Sequence, residues 1–273
     1  MSACANCYRS AVDPTALASL EHANMIEAMT LFAANVDGAV IHRTESVAVA
    51  ASGLPFVLFN QVIVEGDDAT QAALIAGVDV MRGRGSPFVV NLRLGPDDAF
   101  AVVARRLGLV PVSERPWMPG MAMHPVSADS SWGETPGYEI RRATDRKGLE
   151  DHIRTAATGF DMAEELIRAI VVANVLDRDD VALYVGYVGG VPVTTGLGFR
   201  TGATIGVYNI ATLEGVRGRG YGASMTRRVV ADGVIAGCDV AVLQASEMGY
   251  SIYERLGFRT VVEYVGYVEP SAS

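Results

Sequence analysis

Between residues 138 and 268 the hydrophobic pattern changes period repeatedly, and each change marks an element. Apolar runs rich in Val, Ile and Tyr at Tyr138 to Ala143, Val181 to Val188, Val191 to Arg200, Thr204 to Leu213, Val240 to Gln244 and a last stretch ending at Val268 predict strands. Apolar residues three and four apart predict helices near Arg146 to Gly159, Met162 to Leu176 and Ala223 to Ala236, with a short helix carrying Tyr253. Gly189-Gly190 and Thr201-Gly202 separate consecutive strands and suit the tight turns of hairpins. The expected architecture is α/β (α+β): a mixed, mostly antiparallel sheet flanked by helices, in which an antiparallel meander leads into a β-α-β unit.

The first part of the chain repeats this order. A constant shift of 149 residues aligns Asn60 with Asn209, Glu65-Gly66 with Glu214-Gly215, and Arg106-Leu107-Gly108 with Arg255-Leu256-Gly257. A polar, turn-rich stretch with no periodicity separates the copies. The expected organisation is therefore one unit over residues 1–126, a linker over 127–136 and a second unit over 137–273.

The chemistry concentrates in Arg217-Gly218-Arg219-Gly220-Tyr221-Gly222, which lies between a strand and a helix. A glycine-rich turn in that position aims backbone N–H groups and a helix N-terminus at one point, which suits a pyrophosphate, and arginine adds charge-assisted donors. The spacing is neither a P-loop, for which the only lysine, Lys147, lies too far away, nor a GxGxxG fingerprint, since the third glycine comes one position early. It does match R/Q-x-x-G-x-G/A, with Arg217, Gly220 and Gly222 in the defining places. In this turn the sequence resembles the GNAT superfamily of acyl-CoA-dependent N-acyltransferases. A second block of that superfamily, N-x-x-A-x-x-x-Y-x-x-x-G-F, is matched by Tyr253, Gly257 and Phe258, while Ser246 stands where Asn is usual and Gly249 where Ala is usual.

The resemblance implies direct attack of an amine on an acyl-CoA thioester, with acetyl-CoA the first donor to consider. It places the pyrophosphate on Arg217, Gly218, Arg219, Gly220, Tyr221, Gly222 and Ala223, and the pantetheine arm along Ile210, Ala211 and Thr212, with a further CoA contact at Ser246. Tyr253 takes the place of the general acid that protonates the departing sulfur, a task that a phenol with a pKa of about 10 can perform. Phe160, Asp161 and Glu164 fall where acceptor contacts are expected. The base is unassigned: Glu214, Glu247 and His152 are candidates, and each also fits a solvated or locally bonded side chain. Asn209, polar within an apolar strand, fits a β-bulge that the resemblance places there, and Asn60 at its shifted position supports a structural role.

At the same shift the turn becomes Asp67-Asp68-Ala69-Thr70-Gln71-Ala72-Ala73, and Tyr253 becomes Ala104. Carboxylates repel a pyrophosphate, and larger residues keep the amides from approaching it. The first unit is thus expected to be degenerate, with Asp67 and Asp68 capping a helix over Ala69 to Met81.

Composition narrows the remaining choices. A net charge of −9 opposes nonspecific nucleic-acid binding and favours a cationic acceptor, either a small molecule or a peptide amine. Met1 to Asp13 carries no signal-peptide pattern, and no stretch reaches the length of a membrane helix, so a cytoplasmic protein without a membrane partner is expected. Cys4 and Cys7 lack a second Cys/His pair, so no metal is expected, and Cys238 reads as a small core residue. No motif fixes the oligomeric state, which leaves a homodimer open. A non-catalytic acyl-CoA sensor is the alternative to an enzyme.

Overall fold

The computed structural model describes residues 13–113, 118–126 and 135–270; Cys4, Cys7 and all but the last two residues of the expected linker lie outside them. The first half runs α1 (Pro14–Ala34), β1 (Val40–Thr44), β2 (Val47–Ala51), β3 (Asn60–Val64), α2 (Gln71–Arg84), β4 (Val89–Arg93), α3 (Asp98–Arg106), β5 (Val110–Pro111) and β6 (Met118–Met123). The second runs β7 (Tyr138–Arg142), α4 (Arg146–Phe160), α5 (Glu164–Ile170), β8 (Val181–Val188), β9 (Val191–Thr201), β10 (Thr204–Thr212), α6 (Tyr221–Ile235), β11 (Val240–Gln244), α7 (Glu247–Leu256) and β12 (Arg259–Val268).

These strands form one sheet in the order β1-β2-β3-β4-β12-β6-β11-β10-β9-β8-β7, with β5 beside β12. Only β3/β4 and β10/β11 pair in parallel; each pair is joined by a crossover helix, and the other pairs are antiparallel. The last strand of each half sits in the middle of the sheet. There β12 pairs with both β4 and β6, and β6 joins β12 to β11.

The hairpins form as expected, with Gly189 (φ 57°) and Gly190 (φ 81°) turning β8 into β9. The next turn uses Gly202-Ala203, one residue later than expected, because Thr201 still pairs with Thr204. The expected helix Met162 to Leu176 breaks after Ile170 into a 3-10 turn over Ala173–Asp177. Val171 and Val172 are β-branched and fit poorly in a helix, and Asn35 Nδ2 takes the Ile170 carbonyl at 2.7 Å. Helix α2 is capped by Thr70, whose Oγ1 accepts from Ala73 N at 3.1 Å, and not by the aspartates; Asp68 instead accepts from Ser46 Oγ.

The hydrophobic pattern gave no notice of α1, which is capped by Asp13 with Pro14 in its first turn. Its buried face, Met25, Ile26, Ala28 and Phe32, covers the middle of the sheet and contributes to the cores of both halves. That face also carries Glu21, His22 and Asn24, none more than 3 % exposed. Cys238 is buried, as expected of a small core residue.

Candidate active site

Strand register separates the two halves. In the first, Gln61, Val62 and Ile63 pair with Val89, Val90 and Asn91, so β3 and β4 stay joined nearly to their ends at Val64 and Arg93. In the second, parallel pairing stops at Gly206 and Val242, and Val207 to Thr212 continue without a parallel partner. Strands β10 and β11 thus part into a cleft, whereas β3 and β4 do not. By register Gln61 corresponds to Thr204; the constant shift of 149 residues would assign it to Ile210. The shift holds to within two residues for the two helices after the turn and fails in the strand before it.

A bulge bends β10 at the cleft. The register with β9 slips between Tyr208 and Ala211, and Asn209 has φ 50°, a left-handed conformation that Asn accepts more readily than most residues. Thr195 Oγ1 donates to the Asn209 carbonyl at 2.8 Å, while Asn209 Nδ2 is buried with no hydrogen-bond partner. The expected bulge is therefore present. Asn60 is not its counterpart: it is extended (φ −134°), accepts from Ser52 Oγ and Gly53 N, and donates to the carbonyls of Leu54, Phe56 and Pro87.

Past the bulge, Ile210 is half-buried, Ala211 buried and Thr212 half-buried. The chain then turns through Gly218 (φ 78°) and Gly220 (φ 84°) into α6. Gly220 is the N-cap of α6 and supplies no side-chain cap, so Tyr221, Gly222 and Ala223 form a first turn whose amides have no side-chain acceptor. Arg219 is exposed. Arg217 folds back, its Nε donating to the Thr212 carbonyl at 3.1 Å and its terminal nitrogen to the Gly159 carbonyl at 3.0 Å, which fastens the turn to β10 and to the end of α4. Tyr221 is buried and stacks on Tyr138 at 4.6 Å between centroids.

Across the cleft, Ser246 caps α7, its Oγ accepting from Gly249 N at 3.2 Å. The Tyr253 ring packs edge-on against Phe258, and a methyl group at Gly249 would come within 2.8 Å of that ring. The departures at both positions thus have visible local roles. Burial alone pushes the Tyr253 phenol up to about 12, so it keeps its proton at neutral pH.

On the face of α4 and α5, a Cβ at Gly159 would lie 2.8 Å from that of Ala211, which sets the end of α4 directly against the bulged strand. Phe160 is exposed there, Asp161 ends α4 in a left-handed conformation (φ 54°), and Glu164 pairs with Arg168. Glu214 and Glu247 are exposed. His152 is not placed to act as a base: it is completely buried, Nδ1 donates to the Tyr184 carbonyl at 3.1 Å, and burial lowers its pKa to about 4.

Sequence reasoning missed a buried polar array between the halves. Gln244, the last residue of β11, donates to Glu21 Oε1 at 2.5 Å; Tyr264 Oη lies 2.7 Å from Glu21 Oε2 and 2.9 Å from His22 Nδ1. His22 Nε2 is 2.8 Å from the Val64 carbonyl, which can only accept, so Nε2 carries a proton. With Glu21 ionised, Tyr264 donates to Oε2 and His22 must hold both ring protons. With Glu21 protonated, Tyr264 donates to Nδ1 and His22 is neutral. The two forms hold equal numbers of protons. Burial favours the neutral form, raising Glu21 to about 7 and lowering His22 to about 4. Next to this array, Tyr208 Oη donates to Asn24 Oδ1 at 2.7 Å. The available signal was an ionisable pair, Glu21-His22, within the apolar stripe of Ala18, Met25 and Ile26.

No family model and no curated protein matches the chain. Solved structures do. A GCN5-related N-acetyltransferase from Kribbella flavida superposes with a TM-score of 0.69 at 16 % identity over 93 % of this chain and 96 % of that one. A tandem GNAT protein from the clavulanic acid biosynthesis pathway gives 0.61 at 11 % identity over 93 % and 96 %. A GCN5-related N-acetyltransferase from Sphaerobacter thermophilus gives 0.61 at 15 % identity over 82 % and 76 %. The chain has the GNAT fold in a tandem arrangement. Among the described residues no helix is long and apolar enough to cross a membrane, and no group of three or more His, Cys, Asp or Glu could hold a metal.

Proposed function

We propose that the chain transfers an acyl group, acetyl first among candidates, from acyl-CoA to an amine on a small molecule or a peptide. The observation that carries this reading is the parting of β10 and β11 after Gly206/Val242, with the glycine turn and the uncapped start of α6 at its mouth. Residues 137–273 would form the acyl-CoA-binding unit and residues 1–126 a degenerate one. In that unit the amides of the first turn of α6, with Arg219, would receive the pyrophosphate, and Ile210 to Thr212 would run beside the pantetheine arm. Arg217 would act through the carbonyls that it holds, shaping the turn. Phe160, Asp161 and Glu164, at the other wall, would meet the acceptor.

In the reaction the amine nitrogen attacks the thioester carbonyl carbon, the C–S bond breaks, Tyr253 gives its proton to the sulfur, and the proton lost by the nitrogen passes to water. A phenol with a raised pKa is a weak acid, but a thiolate formed in the same dry site is correspondingly eager for its proton. The test is free-thiol release from acetyl-CoA over a panel of amines. Tyr253→Phe should lower acceptor-dependent turnover about 100-fold while acetyl-CoA still binds. Tight acetyl-CoA binding with no acceptor-dependent thiol release across the panel would instead favour a sensor.

A further inference from the structure

A cavity of about 1070 Å³ opens in the half that lacks the glycine turn. It lies where β3 ends at Val64 and β4 at Arg93, on the side covered by α1, and β12 closes it through Thr260 to Glu263. The carboxyl ends of parallel strands are where ligands settle in α/β sheets. Helix α1 lines it with the apolar Ala18, Ala23 and Ile26 beside the polar Thr15, Ser19, His22 and Glu27, and Leu94 and Val261 continue the apolar part of this surface.

Charge around the cavity is unbalanced. Glu27, Glu65, Asp67 and Glu263 line it against Arg43 and Arg93. Neither guanidinium is available to an anion: Arg93 is held by both oxygens of Asp97 at 2.8 and 3.0 Å, and Arg43 bridges Glu27 at 2.8 Å and Glu65 at 3.1 Å. Asp67 is almost fully exposed, 3.9 Å from Arg93, and Glu263 forms no ion pair among the described residues. Burial raises the pKa of Glu65; Arg43 opposes the rise, and the nearby Glu27 and Asp68 add to it. His22 is neutral and supplies no compensating charge.

We propose that this cavity is a second ligand site, for a small organic cation: an amine or guanidine whose charged end meets Glu65, Asp67 and Glu263 and whose carbon chain lies along Ala18, Ile26 and Val261. An acyl-CoA is excluded from it by the same features, since its phosphates would face the carboxylates and the paired β3 and β4 leave no cleft for its arm. The site is independent of the acyl-transfer reading.

Calorimetric titration of the full chain with agmatine tests this. One equivalent should bind, and Glu65→Gln with Glu263→Gln should weaken it at least about tenfold. Ala23→Trp, placed on the open side of α1, should block binding without altering the fold. Gly220→Asp, which removes the proposed acyl-CoA site, should leave agmatine affinity unchanged; this separates failure of one site from failure of the other. No heat of binding up to roughly 10 mM agmatine, affinity unchanged in both cavity variants, or acetyl-CoA competing with agmatine in the Gly220→Asp variant would each overturn the proposal.

Discussion

The two halves of this molecule share the succession of strands, turn, helix, strand and helix, yet only one opens. In the first half three consecutive pairs hold β3 to β4 as far as Ile63/Asn91, one residue short of the end of β3. In the second, an equal run of pairs ends at Gly206/Val242 and leaves six residues of β10 to diverge around a bulge. Element order therefore does not create a cleft. Its opening depends on where pairing stops, and its contents on the residues of the turn that follows.

The largest effect that would break this contrast concerns acetyl-CoA. Arg217→Glu with Gly220→Asp should cost at least about 1000-fold in affinity, about 4 kcal/mol, by placing carboxylates at the turn and forcing a side chain into the conformation at φ 84°. Grafting Arg-Gly-Arg-Gly-Tyr-Gly over residues 68–73 should not create a second equivalent of binding, because β3 and β4 remain joined. Appearance of that second equivalent in equilibrium dialysis would show that turn chemistry alone suffices.

A smaller effect concerns the two asparagines that the constant shift aligns. Asn60→Ala strands several buried partners and should lower stability by about 3 kcal/mol in urea unfolding. Asn209→Ala removes an amide that has no partner and should cost about 1 kcal/mol, the penalty of a left-handed alanine. Equal losses would contradict the difference in their surroundings.

An effect seen only as a change of slope with pH lies in the array between the halves, where Glu21 and His22 offset each other's pH dependence. From pH 4.5 to 6.5 the folded pair holds one proton on Glu21, and the unfolded pair holds one on His22, so their joint contribution is flat. His22→Gln leaves only a carboxyl raised from 4.5 to about 7, whose stabilisation is complete below pH 4.5 and fades as pH rises through 7. Glu21→Gln leaves only an imidazole lowered from 6.5 to about 4, whose stabilisation is complete above pH 6.5 and fades on acidification. Relative to the parent chain, each slope should change by about 1.4 kcal/mol per pH unit, with opposite signs, in urea unfolding across that range. Glu21→Gln preserves the contacts, since the amide can donate to Tyr264 and accept from Gln244 as the protonated acid does.

How much of this was legible in the sequence follows from what each signal depends on. The turn and the meander rest on local pattern, the bulge at Asn209 on the resemblance together with a polar residue in an apolar strand, and all three are present in the fold. The break after Ile170 depends on Asn35, distant in sequence, capturing a carbonyl. Helix α1 was missed because its buried face mixes Glu21, His22 and Asn24 with apolar residues, which blurs the stripe that marks an amphipathic helix. The aligned asparagines misled because the two helices after the turn kept one spacing while the strand before it changed its partner register. For the site, the turn was readable; the cleft depended on strand pairing that no local pattern records.

Placing β6 and β12 between β4 and β11 has a consequence for dividing the gene. A cut in the stretch between residues 126 and 135 would yield two fragments, each lacking a neighbour for one of its parallel strands. Neither fragment would be a free-standing module. Each would present a bare strand edge that the other fits, so co-expressed pieces should reassemble as a heterodimer, and either one alone should precipitate or pair with itself. The two halves are interleaved in one sheet, so each finds the neighbour of its edge strand in the other.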